Sequence, residues 1–225
     1  MAGIQDLALA GFGSAGGLKV LSAGSGAHLH LSLAANDGRN AFASDDPAGT
    51  ALLRHAIAGL AATAAESFLV FAPNDNSDRR FQSESYAPVA VNWGINNRCV
   101  SLRVPAGPPA SRHVENRCCG ADGNLYLAAA AVLTGVEVGL AQPLDPGPPV
   151  TGNGYRKAPA VATGGAHLLP ATWHAALERA RCSSFLVDVL GADFLKVFLA
   201  IKQQELTRFE AEVSDTDRAW YLQRS

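Results

Sequence analysis

Three polar side chains in the stretch Gly24-Ser25-Gly26-Ala27-His28-Leu29-His30-Leu31-Ser32-Leu33 have the types and spacing to do chemistry together. His28, His30 and Ser32 alternate with Ala27, Leu29, Leu31 and Leu33. Successive strand side chains point to opposite faces, so the pattern predicts a half-buried strand with two imidazoles and a hydroxyl on one face. Such a row can face a metal or a phosphate. The plainer alternative is the solvated face of an antiparallel sheet. Gly24 and Gly26 leave the entry backbone uncrowded, open to a ligand's approach. Residues 111–118 carry a complementary pattern, with His113, Glu115 and Arg117 on one parity and Val114, Asn116 and Cys118 on the other. The adjacent cation favours ionised Glu115. Hard divalent cations take oxygen ligands, and an added imidazole suits manganese as well as magnesium. One histidine and one carboxylate make an incomplete set, so a metal here requires further carboxylates. The alternative is a cross-strand ion pair.

The elements that position these residues follow from composition and periodicity. At 225 residues, 48% hydrophobic and 17% charged, the chain predicts a globular fold with a sizeable core. A net charge of -2 removes a general electrostatic case for nucleic acid or an anionic membrane. Cys99, Cys118, Cys119 and Cys182 show neither zinc spacing nor disulfide-scaffold density, so a reducing cytoplasm is expected. No signal peptide is legible at the N-terminus. The longest apolar stretch, residues 125–141, contains Glu137 and reads as a buried helix rather than a span.

Residues 1–22 are Gly- and Ala-rich and carry no assigned chemistry. Asp45-Asp46-Pro47 predicts a helix start, with Leu52, Ala56, Leu60 and Ala64 at helical spacing and His55 beside them. Residues 71–81 form a polar loop carrying Arg79 and Arg80. Val89, Val91 and Trp93, then a turn at 94–97, then Val100, Leu102 and Val104 predict a β-hairpin. Simple alternation sets Arg98 and Arg103 on opposite faces unless Arg98 belongs to the turn or a bulge intervenes. Asp122-Gly123-Asn124 caps the apolar helix, residues 142–154 are a Pro/Gly loop within one domain, and helices follow near 171–181, 185–190 and 192–212. Ser214 caps a last short helix. His167 and His174 read as structural or solvated.

Four segments in register resemble the C-terminal catalytic part of the glutamine synthetase family. GSGAHLHLSL is similar to its GSGxHxHxSL strand and NSDRRFQSESYAP to its NSYxRxxPGxxAP loop. WGINNRCVSLRVP is similar to its NRxxxxRxP hairpin, and RHVENRCCGADGNLYLAAAA to RxxExRxxDxxANPYLAxAA. The resemblance implies an α+β fold, a curved, mostly antiparallel sheet backed by helices. Here it would be incomplete, with an N-terminal segment at 1–22 and a catalytic-domain portion at 23–225. It also implies ATP-dependent amide formation, in which glutamate's γ-carboxylate is phosphorylated and an amine displaces the phosphate. By resemblance, His28 and Glu115 are ligands for Mg2+ or Mn2+, and His30, Ser32 and Arg103 lie along the nucleotide. Arg98 and Arg103 hold the transferring phosphoryl group, Arg80 and Arg117 hold substrate carboxylates, and Gly24 offers backbone contact to the substrate amine.

Departures from the pattern sharpen the expectation. Tyr86 stands where glutamine synthetases place a flap glutamate that collects ammonium, and tyrosine supplies no negative charge near neutral pH. Here it would act at the catalytic site facing a larger amine. SYAP, ENR and GADGN resemble the γ-glutamylpolyamine synthetase branch. Ala23 replaces an asparagine that contacts substrate, and His113 a nucleotide-binding arginine. The family's N-terminal β-grasp domain and its ExE metal strand have no counterpart, and its active site lies between subunits. The chain is therefore expected to be a fragment, half of a split enzyme or a remnant, inactive alone, and to join a homo-oligomer or a full-length relative. The alternative function is a noncatalytic nucleotide-binding or assembly module. A purely structural α+β domain is the third reading.

Overall fold

The structure is a computed structural model describing residues 26–155 and 168–222. The 1–22 segment, Ala23, Gly24 and His167 lie outside the described residues. Four short strands form one sheet in the order β1-β4-β3-β2: β1 Leu29–Leu31, β2 Trp93–Ile95, β3 Leu102–Val104 and β4 Val114–Asn116. β1 and β3 flank β4 antiparallel.

The expected β-hairpin is not formed, because β2 and β3 run parallel, with Trp93 opposite Leu102 and Ile95 opposite Val104. The sheet is therefore mixed rather than uniformly antiparallel. A parallel pair normally needs a long crossover. Here residues 96–101 double back instead, with Asn96 at φ 47°. A buried clasp holds the return. The Asn92 amide donates to Ser101 Oγ at 3.0 Å, the Ser101 amide to Asn92 Oδ1 at 3.1 Å, and Ser101 Oγ to the Asn92 carbonyl at 2.7 Å. Alternating apolar residues specify strands, but not the direction in which two of them pair.

Seven helices among the described residues complete the fold. They are α1 Ala51–Thr63, α2 Phe68–Phe71, α3 Leu125–Ala141, α4 Trp173–Arg181, α5 Ser184–Leu190, α6 Ala192–Glu210 and α7 Asp215–Tyr221. α1 begins later than expected because Thr50, not the Asp45-Asp46-Pro47 run, caps it, its side chain accepting from the Leu53 amide. Asp46 instead closes a turn, accepting from the Ala48 amide at 2.9 Å. α3 starts as expected, with Asn124 accepting from the Tyr126 and Leu127 amides. α7 carries a full capping box between Ser214 and Asp217.

α1 and α3 cross with their backbones nearly touching. A Cβ on Gly59 would overlap the Gly135 carbonyl, and one on Gly139 the His55 carbonyl. That crossing anchors a core containing Leu53, Ile57, Leu60, Phe68, Phe71, Trp93, Leu102, Val114 and Val132. Residues 142–154 close over β2. Trp93 Nε1 donates to the Gly147 carbonyl at 3.0 Å, and the Val150 amide donates to the Trp93 carbonyl at 2.8 Å. α6 buries few of its apolar side chains. Only Leu195 and Leu206 are buried, Phe198 and Leu199 are half-buried, and Phe194 is exposed.

Candidate functional site

The ladder places three chemically active residues in one row across the sheet. His30 on β1 lies opposite Glu115 on β4, and Glu115 lies opposite Arg103 on β3. Next in the row is Gly94 on β2, where a Cβ would crowd the Val150 carbonyl at 2.9 Å. Before β1 the register slips by one residue, with Gly26 bridging Gly120. Such a slip bends the chain, and here His28 and Arg117 both converge on Glu115.

Glu115 is the centre, 2% exposed. Its Oε1 accepts from Arg117 Nη1 at 2.8 Å and His28 Nδ1 at 2.8 Å, and its Oε2 accepts from Arg103 Nη1 at 2.9 Å. His30 Nε2 stands 4.0 Å from Oε1. Burial pushes the carboxyl's pKa up. The His28 hydrogen bond and the Arg117 and Arg103 charges outweigh burial and hold it at about 2. Arg103 Nη2 also donates to Asn96 Oδ1 at 3.3 Å. Neither parity nor composition flags Asn96; only the tight β2–β3 return brings it here.

Arg117 ties the site to two loops, Nη2 donating to the Tyr86 carbonyl at 3.0 Å and to the Arg98 carbonyl at 3.1 Å. Both terminal nitrogens are thus engaged within the protein. Arg98 belongs to the 96–101 return and is exposed, so strand alternation does not govern it. Tyr86 is 64% exposed, and it and Glu84 hold φ of 60° and 67°. Positive φ is costly for these residue types and concentrates at functional loops. Arg80 closes a 3₁₀ turn, Asp78–Arg80. It donates to the Cys118 carbonyl, its guanidinium lies 4.0 Å from the Phe81 ring centroid, and burial pulls its pKa down. Ser32 is exposed just beyond β1.

The sheet face therefore joins His28, His30, Arg103, Glu115 and Arg117, with Arg80 next to His28, and sets Ser32, Tyr86 and Arg98 at its margins. The cluster is rich in donors and poor in acceptors. Two guanidinium groups, of Arg103 and Arg117, hold the one carboxylate, and the Nε atoms of Arg80, Arg103 and Arg117 are buried without a partner. That excess of positive charge fits a phosphate or carboxylate group. It does not fit a divalent cation on these residues alone. Both Glu115 oxygens face guanidinium groups, and among the described residues no set of three or more His, Cys, Asp or Glu side chains is placed to hold a metal.

Residues 19–221 match the family described as glutamine synthetase, catalytic domain, and the chain belongs to that family. It is 36% identical over 203 residues to γ-glutamylputrescine synthetase of Escherichia coli, covering 90% of this chain and 42% of that protein. It is 37% identical over 202 residues to γ-glutamylethanolamide synthetase of Streptomyces coelicolor, covering 90% and 41%. Among solved structures, GmaS in complex with ADP superposes with a TM-score of 0.75 at 25% identity, covering 89% of this chain and 46% of that one. The chain thus spans less than half the length of these relatives. No helix among the described residues is long and apolar enough to cross a membrane.

Proposed function

We propose that this chain, over residues 23–225, is the C-terminal catalytic portion of an ATP-dependent ligase joining glutamate's γ-carboxylate to an amine. The carrying observation is the cluster of Arg103, Glu115 and Arg117 with His28 and His30. Separate segments of the chain bring it to one sheet face, in a family whose similar members make γ-glutamyl amides. ATP supplies the phosphoryl group that activates the carboxylate.

The chain's own residues position and neutralise. Arg103, fixed by Glu115 and Asn96, and Arg98, on the adjoining return, present positive charge to the transferring phosphoryl group. Arg80 and Arg117 supply the positive wall for the substrate's carboxylates, and the Gly24 backbone meets its amino group. His30 and Ser32 line the nucleotide. Tyr86, held at the margin through its carbonyl, faces the amine; an uncharged ring there favours a substituted amine such as a polyamine over ammonium. His28 and Glu115 contribute to a Mg2+ or Mn2+ site only with carboxylates from outside the described residues, so no step is assigned to that ion. The setting is cytoplasmic, and the assembly is a homo-oligomer or a complex with a full-length relative.

One observation favours the second reading, a noncatalytic nucleotide-binding or assembly module: Glu115 is already neutralised by two arginines. Calorimetric titration with a non-hydrolysable ATP analogue, with and without Mn2+, separates the two. The ligase reading expects Mn2+-enhanced binding that His28→Ala and Glu115→Ala abolish. Metal-independent binding that survives both substitutions supports the module, and no binding under either condition overturns both readings for the isolated chain.

A further inference from the structure

We propose that His30 and His113 form a two-imidazole site for a nitrogen-preferring divalent ion of the zinc, nickel or copper type, distinct from the His28–Glu115 pair. His30 Nδ1 and His113 Nε2 lie 2.9 Å apart, from β1 and from the residue preceding β4. Two nitrogens bound side by side to one ion at about 2.0–2.1 Å are separated by about 2.9 Å at a right angle and about 3.3 Å at a tetrahedral one. The ring centroids are 5.1 Å apart and the rings tilt by 47°, so nitrogen edges rather than faces meet.

The far side of each ring strengthens the assignment. His113 Nδ1 sits 2.6 Å from the Ser111 carbonyl, which can only accept, so Nδ1 carries the proton and Nε2 of the neutral ring is a bare lone pair. His30 turns its Nε2 toward Glu115 Oε1 at 4.0 Å. That distance is beyond hydrogen-bond reach, so nothing holds the His30 proton on Nδ1 and this nitrogen is free to ligate an ion. Either one proton or one metal ion can sit between the two nitrogens. The carbonyl behind the His113 imidazole is the support that metal-bound histidines ordinarily have, fixing its tautomer and ring orientation. His30 is half-exposed, so water or a ligand can fill the remaining coordination positions. Imidazole donors select zinc, nickel and copper over magnesium and calcium, which take oxygen.

This site does not depend on the ligase reading. The test is calorimetric titration of the purified chain with Zn2+ alone, alongside electron paramagnetic resonance with Cu2+ alone. The expected result is a single Zn2+ site, weakened about tenfold or more in both His30→Ala and His113→Ala. The Cu2+ spectrum should carry nitrogen splitting that disappears in the same variants. His174→Ala, at the remote His174–Glu210 pair, should bind as the parent does. Circular dichroism confirms that each variant is folded, and His113→Gln repeats the test with a residue of similar size. Undiminished Zn2+ binding in His113→Ala overturns the proposal. So does loss in His28→Ala with retention in His113→Ala, which would move the ion to the His28–Glu115 pair. Absence of any Zn2+ binding would show that the two rings share only a proton.

Discussion

At the scale of single residues, Glu115 is where the sheet's electrostatics concentrate. A buried carboxylate between two guanidinium groups and an imidazole is strongly destabilising to break, because removing one partner strands the others. The pH dependence has a definite sign. The folded pKa, about 2, lies below the ordinary value of 4.5. The carboxylate's contribution is therefore fully present above about pH 4.5 and is lost as pH falls toward 2. A depression of that size is worth about 3 kcal/mol. Glu115→Gln is expected to lower urea-denaturation stability by about that amount at pH 7, with the deficit shrinking toward pH 2. A pH-independent deficit between the two proteins would show that Glu115 is not held ionised by its neighbours. The same residue shows what was legible early. Its place between His113 and Arg117 marked it as charged, whereas its pairing with Arg103 required the β3–β4 register.

At the scale of elements, the α1–α3 crossing sets how closely the helical layer packs. Gly59, Gly135 and Gly139 permit an approach that no side chain allows. Inserting a methyl group into such a contact forces the backbones apart. Gly139→Ala is expected to cost about 3 kcal/mol in chemical denaturation. The comparison is Gly38→Ala. Gly38 has φ 79° and open space around it, so only the left-handed backbone is penalised, about 1 kcal/mol. Equal effects would mean that the crossing tolerates expansion. These glycines look unremarkable in sequence, because a glycine in an apolar helix signals low propensity as readily as close packing. The β2–β3 pair teaches a related lesson. Val100, Leu102 and Val104 do mark a strand, yet its parallel direction comes from the Asn92–Ser101 clasp, a contact between two small polar residues nine apart.

At the scale of the whole molecule, α6 is a 19-residue helix that buries only two side chains, while Phe194, Val197 and Ile201 lie exposed at spacings of three and four. An exposed apolar stripe of this kind is adhesive. The double substitution Val197→Lys and Ile201→Lys is expected to lower binding of an apolar-surface dye and reduce concentration-dependent light scattering. Stability should change by no more than about 1 kcal/mol, since both positions are already in solvent. Unchanged dye binding would locate the adhesive surface elsewhere. Helical period puts Phe194, Val197 and Ile201 on neighbouring turns of α6, but period cannot say whether a partner surface covers them.

The polar and apolar parity of the His28–Ser32 and His113–Cys118 stretches is written in their residue order. Residue order also marks the Asn124 and Ser214 caps, the long apolar helix, though only one face of it is buried, and a family resemblance borne out over residues 19–221. These are local properties, set by side-chain chemistry within a few residues. Tertiary structure decided what the polar face amounts to. Strand order put His30, Glu115 and Arg103 in one row, a one-residue slip brought His28 and Arg117 onto the same carboxylate, and a doubled-back loop added Asn96. The reason is physical: register and strand direction are chosen by long-range packing and by satisfying buried donors, and neither is encoded within any single stretch.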